Sequence, residues 1–186
     1  SVRVVVPDTR DEGDHNKADD PRYTGAMGII QKPMFRQSIR DRRCLILADA
    51  VIEGPKQEKL TKPYLVYPRN GVQPFSMAGI WDEWADPQTG EVIRSFAILT
   101  TVANTLLQTI GHHRSPVVLQ EEHEHAWLDL STPLADITAM LGPFPSNAFN
   151  AYPISPEIRD PRVNGSDLLQ PIGQRIHVEH EFMLHE

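Results

Sequence analysis

Glu53 and His112 are the two residues of this chain whose setting points most directly to proton transfer. Glu53 closes the run Arg42-Arg43-Cys44-Leu45-Ile46-Leu47-Ala48-Asp49-Ala50-Val51-Ile52-Glu53, just before Gly54-Pro55. A short apolar run closed by Gly and Pro reads as a buried strand. A carboxylate at the end of such a strand has two readings. It meets solvent or a basic side chain, as glutamates ordinarily do, or it is desolvated beside a base and works as a general acid–base. His112 follows Gly111 at a predicted helix end and precedes Arg114 and Pro116. Loops on a rigid scaffold carry much of catalysis, and imidazole exchanges protons near neutral pH. The ordinary alternative is a surface or capping histidine. The sharper reading of Glu53 needs partners elsewhere in the chain.

Other clusters carry less. On a helix, His123 and His125 of Glu121-Glu122-His123-Glu124-His125 point to different faces, since helical neighbours lie three or four apart. That segment reads as a solvated helix start, and the His- and Glu-containing tail at 177–185 reads the same way. No glycine-rich phosphate loop, zinc-spaced cysteine pair or Gly-x-Ser-x-Gly elbow is present. No metal or other cofactor is therefore expected, and a metal hydrolase built on the His/Glu clusters is the weakest reading. Lys32, Arg36, Arg40, Arg42 and Arg43 stand against Asp41 alone, a solvated face or the electrostatic footprint that a phosphate backbone needs.

The elements that must position these groups are short. Strands are expected at 1–6, 43–53, 63–67, 75–81, 92–101 and 117–119, with a last one within 170–186. A hairpin turn is expected at Pro68-Arg69-Asn70-Gly71 and another turn at 86–90. Helices are expected at 34–42, with Met34, Phe35 and Ile39 inward, at 103–110, at 121–130 with Trp127 inward, and at 133–141, capped by Ser131 or Thr132. The Pro-rich stretch 142–161 has no strong periodicity. Residues 7–23 hold Asp8, Asp11, Glu12, Asp14, Asp19 and Asp20 with hardly an apolar side chain, which predicts an exposed, flexible acidic loop.

Composition bounds the whole. A chain of 186 residues, 40% hydrophobic and 23% charged, suits one α+β domain over 1–186 with a substantial core. Successive antiparallel strands predict a curved antiparallel or mixed sheet, or a barrel, flanked by short helices. No apolar stretch reaches the 18 or so residues of a membrane span, so no membrane partner is expected. The single cysteine, Cys44, sits in the apolar run as an inert core thiol, which fits a reducing cytosol. The net charge of −7 provides no global attraction to nucleic acid, so any DNA contact needs a local basic patch.

Taken together, Lys32-Pro33-Met34-Phe35-Arg36 and Arg43-Cys44-Leu45-Ile46-Leu47-Ala48-Asp49-Ala50-Val51-Ile52-Glu53 resemble the SOS-response-associated peptidase family, with its pattern KPxFR…RCLIPADGFYEW. The likeness continues through Pro74-Phe75, Ala78-Gly79-Ile80-Trp81-Asp82-Glu83-Trp84 and Phe96 to Asn104. It extends to His112-His113-Arg114-Ser115-Pro116-Val117-Val118-Leu119, similar to HxRMPVIL, and to Ala151-Tyr152-Pro153-Ile154-Ser155. It covers residues 32–176 in order.

The resemblance implies a protein that shields abasic sites in single-stranded DNA through a covalent crosslink. Family members join an N-terminal cysteine, exposed by their own processing, to the ring-opened sugar as a thiazolidine. It implies catalytic roles for Glu53 and His112, DNA contacts at Arg36, Arg40, Arg43, Thr101 and Arg114, and a cytoplasmic monomer of bacterial or phage origin. The chain departs from the pattern in four places. Ser1 stands where the cysteine is expected, and its α-amine is the nucleophile candidate, giving a Schiff base. The NARxET motif would fall at 23–28, where its Asn and Arg are absent, so 1–31 reads as divergent or incomplete. Gly54 replaces the tryptophan after the glutamate, and Ser115 replaces the Met of HxRMP. The alternative is a divergent pseudoenzyme that acts only as a DNA- or protein-binding module.

Overall fold

The computed structural model describes residues 2–4, 9–18, 20–22 and 25–179. Ser1 and the end of the expected last strand lie outside them. In chain order the strands are β1 (Val2–Val4), β2 (Arg43–Ala48), β3 (Val51–Glu53), β4 (Tyr64–Pro68), β5 (Phe75–Ala85) and β6 (Val92–Ile98). They continue with β7 (Thr100–Val102), β8 (Arg114–Pro116), β9 (Val118–Leu119), β10 (Phe149–Pro153) and β11 (Ile176–His177). The α-helices are α1 (Met27–Gln31), α2 (Ser38–Asp41), α3 (Thr105–Thr109), α4 (Glu121–Leu128) and α5 (Leu134–Ala139). The class is α+β, and the described sheets are open, not a closed barrel.

The chain forms two compact units, interleaved in sequence. The first comprises Ser1–Leu47, Ser76–Thr101 and Pro116–Pro143. Its sheet runs β1-β6-β5-β2, with β9 also on β5. The β5–β6 hairpin closes where the sequence places it. The Asp86 carboxylate accepts from Gln88 N and Thr89 N, and Gly90 takes φ +71°, a left-handed turn that glycine adopts without a Cβ penalty. One sheet face buries Ala78, Ile80, Ala97 and Leu99 against Phe35, Ile39 and Trp127.

Arg43 ties this unit together. It is 7% exposed, and its guanidinium donates to the main-chain carbonyls of Ile39, Arg40, Trp127 and Asp129. Four such acceptors satisfy the fork of a guanidinium taken out of water. Trp127, fully buried, donates its indole N–H to Cys44 O at 2.9 Å.

The second unit comprises Ala48–Phe75, Val102–Ser115 and Phe144–Glu186. Its sheet runs β11-β10-β4-β3, antiparallel throughout. Leu106, Leu107, Val66, Ala151 and Ile154 are buried here, and the Phe144 and Phe75 rings flank Phe149 at 4.3 and 5.3 Å.

Several expectations need correction. The helix expected at 34–42 is shorter, since residues 33–37 form turns and only Ser38–Asp41 (α2) is helical, while a separate helix, α1, precedes it and ends where Lys32, before Pro33, leaves the helical region (ψ 127°). Phe35 and Ile39 point inward, but Met34 is 69% exposed. The Asn70-Gly71 turn forms, yet no hairpin follows, since β4 pairs on its two sides with β3 and β10 and leaves no edge for β5. β10 falls in the stretch that looked aperiodic. Phe149, Asn150 and Ala151 are all buried, so no alternation marks them. Helix α5 has no side-chain cap, and Ser131 instead bonds the Asp129 carboxylate.

The acidic segment differs most. Thr9, Asp11, Glu12 and Asn16 are buried, and Gly13–Asn16 is a 3-10 turn. Main-chain bonds explain it: Asp11 N donates to Thr100 O, Thr100 N to Thr9 O, and Ile29 N to Asp11 O. Gly28 is obligatory here, since a Cβ on it would lie 2.1 Å from Gly13 N. Burial, with Glu12 as neighbour, pushes the Asp11 carboxyl up to about 8, while the Thr101 hydroxyl pulls the other way.

Candidate active site

Glu53 and His112 meet in the second unit. Their Oε2 and Nε2 atoms are 3.1 Å apart, and the side chains are 26% and 16% exposed respectively. Two local structures bring them together. β3 pairs with β4 in the register Val51↔Val66, Ile52↔Leu65, Glu53↔Tyr64, which fixes Glu53 at the strand end. His112 is delivered by the end of α3. Asn104 caps that helix, its Oδ1 accepting from Leu107 N and its Nδ2 donating to Phe144 O. At the other end Gly111 (φ +78°) donates to Gln108 O and His112 N donates to Leu107 O. This is the Schellman closure, which requires a left-handed residue at Gly111 and holds the next residue in one direction.

The loop after Glu53 completes the arrangement. His112 Nδ1 lies 2.6 Å from Gly54 O. A carbonyl can only accept, so Nδ1 carries a hydrogen in either charge state of the ring. Nε2 is then the nitrogen that exchanges a proton, and it faces Glu53. At 3.1 Å the pair can share one proton, as Glu53 O–H donating to a neutral ring or as an imidazolium N–H donating to a carboxylate. Burial pushes the Glu53 carboxyl up and favours the first form, and the charge of His112 pulls it down and favours the second. A desolvated carboxylic acid in contact with a tautomer-fixed imidazole can protonate a leaving oxygen and recover the proton from an attacking amine.

The loop also requires glycine at 54. A Cβ there would lie 2.0 Å from Lys59 O, so the loop closes over it only as glycine. In the sequence Gly54 marks the end of the apolar run and stands where the family pattern has a tryptophan, and neither fact discloses this closure. The signals available were Gly54-Pro55 itself and the Asn104 to Gly111 frame of a capped helix.

The remaining expected site residues divide. Arg36 and Arg40 are exposed in the first unit, the Arg40 guanidinium donating to Arg36 O. Arg43 is the framework cation described above, its guanidinium turned to four main-chain carbonyls. Thr101 is 3% exposed, and its hydroxyl bonds the Asp11 carboxyl in the first unit. Arg114, two residues past His112, is buried in the second unit. Among the described residues no three His, Cys, Asp or Glu side chains are grouped to hold a metal, and no helix is long and apolar enough to cross a membrane.

Comparison with known proteins decides the lineage. The family model of the SOS response associated peptidase (SRAP) matches residues 22–161. The chain belongs to the SRAP family. The abasic site processing protein YedK of Escherichia coli is 30% identical over 188 residues, 92% of this chain and 82% of its own length. The abasic site processing protein YoqW of Bacillus subtilis is 29% identical over 143 residues, 76% of this chain and 63% of that protein. A crystal structure of a protein from Bacteroides thetaiotaomicron superimposes with a TM-score of 0.71 at 35% identity, covering 77% of this chain and 62% of the other. The matched SRAP region thus spans under two thirds of some relatives.

Proposed function

We propose that this SRAP chain captures abasic sites in single-stranded DNA, with Glu53 and His112 as the proton-transfer pair. The observation that carries the reading is the 3.1 Å contact between a desolvated carboxyl and an imidazole whose other nitrogen is fixed on Gly54 O. The names of YedK and YoqW, abasic site processing proteins, supply the substrate.

The ring-opened abasic sugar presents an aldehyde. An α-amine, partly neutral near its pKa of about 8, adds to the carbonyl carbon and forms a C–N bond. The carbonyl oxygen takes a proton from Glu53 as it becomes a hydroxyl, and His112 Nε2 accepts the proton the nitrogen loses. The His112 imidazolium returns its proton to Glu53, Glu53 passes it to that hydroxyl, which leaves as water while the protonated C=N forms, and the Glu53 carboxylate takes the remaining N–H proton, which restores the pair. Where a thiol adjoins the amine, it adds to the imine carbon and closes a thiazolidine. Where a hydroxyl does, the Schiff base remains reversible. Arg36 and Arg40 supply phosphate contacts.

A denaturing gel of the protein with abasic single-stranded DNA, run with and without borohydride, tests the reading. A band in both lanes indicates a ring-closed adduct, and a band only after reduction indicates an amine Schiff base. Glu53→Gln has to slow either. The absence of the NARxET residues at 23–28 favours a second reading, a DNA-binding module without covalent chemistry, and no band in either lane would select it.

A further inference from the structure

The loop that follows Glu53 contains a backbone conformation that its sequence does not favour. Lys59 has φ +51°, the one left-handed non-glycine residue among those described. Such a conformation persists in a lysine only where the surroundings enforce it, and residues of this kind gather at ligand clamps. The enforcement is visible here. Lys59 N donates to Pro55 O at 2.6 Å, and Lys59 O rests on the Cα of Gly54, where no Cβ would fit. The same loop is fastened to the histidine's helix, Lys56 N donating to Gly111 O at 2.9 Å and Pro55 lying against Gly111. Gly54 O meanwhile holds His112 Nδ1. The backbone of Lys59 is therefore indexed to the proton-transfer pair by a chain of close contacts within one unit.

The side chains on this loop are cationic. Lys56 and Lys59 are exposed, and the one acid, Glu58, is bonded to Lys62 at 2.6 Å. Glycine at 59 would relieve the backbone at no cost to the fold, so what lysine adds there is an ammonium group.

We propose that Lys59, with Lys56 beside it on the loop, holds a backbone phosphate of the DNA strand next to the nucleotide being captured. The inference rests on the abasic-site reading above and adds a phosphate contact to the Glu53–His112 site. Lys59 is a positioning residue, since it fixes the strand and not the reacting carbon.

The test is the salt dependence of binding to a labelled single-stranded oligonucleotide with one abasic site, read by fluorescence anisotropy. Each phosphate contact on a single strand contributes about 0.7 to the slope of log K against log salt. Lys59→Ala should lower affinity several-fold at low salt and reduce the slope by about that amount. Lys59→Arg should restore both. Lys59→Gly is the decisive variant: its Tm should equal or exceed that of the unaltered protein, while affinity and slope fall as for Lys59→Ala. A merely structural lysine would give the opposite pairing. Lys59→Gly and Lys59→Ala binding with unaltered affinity and slope overturns the proposal while leaving the abasic-site reading intact. If Glu53→Gln crosslinks at the normal rate but the Lys59 variants lose slope, the catalytic assignment fails and the phosphate contact stands. An unaltered protein that binds no single-stranded DNA overturns both.

Discussion

Among the described residues, Glu53 and Asp11 have carboxyl groups that burial pushes above their ordinary range, and they differ in what they touch. Glu53 faces an imidazole whose far nitrogen is fixed on a carbonyl. Asp11 faces a second acid, Glu12, and a threonine hydroxyl. Desolvation is the leading cause in both. What separates them is the partner. A base beside the acid gives the proton somewhere to go and return from, whereas an acid beside the acid only keeps a proton in place. Perturbation alone therefore does not mark a functional carboxylate.

The largest expected effect breaks the comparison if it fails. Glu53→Gln or His112→Ala should slow crosslink formation by about 10²–10⁴-fold, the usual contribution of a positioned general acid–base. Asp11→Asn should leave the rate within a few-fold. Timed gels of the three variants against the unaltered protein measure this. Equal losses for Asp11→Asn and Glu53→Gln would make the two acids functionally alike.

The next effect concerns stability and runs the other way. The folded state holds a proton on Asp11 up to about pH 8, whereas the unfolded chain releases it near 3.8. The stability linked to that proton is complete below about pH 4 and declines as pH rises to about 8, with a limiting slope of ~1.4 kcal/mol per pH unit. Asp11→Asn, which cannot ionise, should flatten urea-midpoint profiles over that window and stabilise the protein at its upper end. Glu53→Gln should act in the same direction, because its carboxyl is also raised. A profile for Asp11→Asn that parallels the unaltered protein would place the pH dependence elsewhere.

How much of this the sequence discloses follows the same division. Glu53 and His112 are legible because each ends an element with clear punctuation: an apolar run stopped by Gly54-Pro55, and a helix stopped by Gly111. The β5–β6 hairpin and the inward Trp127 are legible for like reasons. The burial of Asp11 and Glu12 is not, because it depends on main-chain bonds to Thr100 and Ile29 made across distant stretches, and side-chain polarity argues against it. The setting of Arg43 is hidden in the same way. A cation in a basic run looks like a phosphate contact until four carbonyls, two of them from Trp127 and Asp129, are found around it. β10 escapes notice because a strand buried on both faces has no alternation to read.

The smallest expected effect sharpens the comparison at Thr101. Its hydroxyl favours the ionised form of Asp11, so removing it should move that titration further upward. Thr101→Val keeps the shape and buries no unmet polar atom of its own. It should cost about 1 kcal/mol where Asp11 is charged and less where Asp11 holds its proton, because a bond to an ionised acceptor is the stronger one. The high-pH limb of the stability profile should therefore steepen while the acid limb stays in place. Crosslinking and single-stranded DNA affinity should match the unaltered protein, since the hydroxyl is turned to Asp11 and buried. A Thr101→Val protein of normal stability that binds DNA weakly would instead return Thr101 to the nucleic-acid surface, and with it the acid of the first unit to a working role.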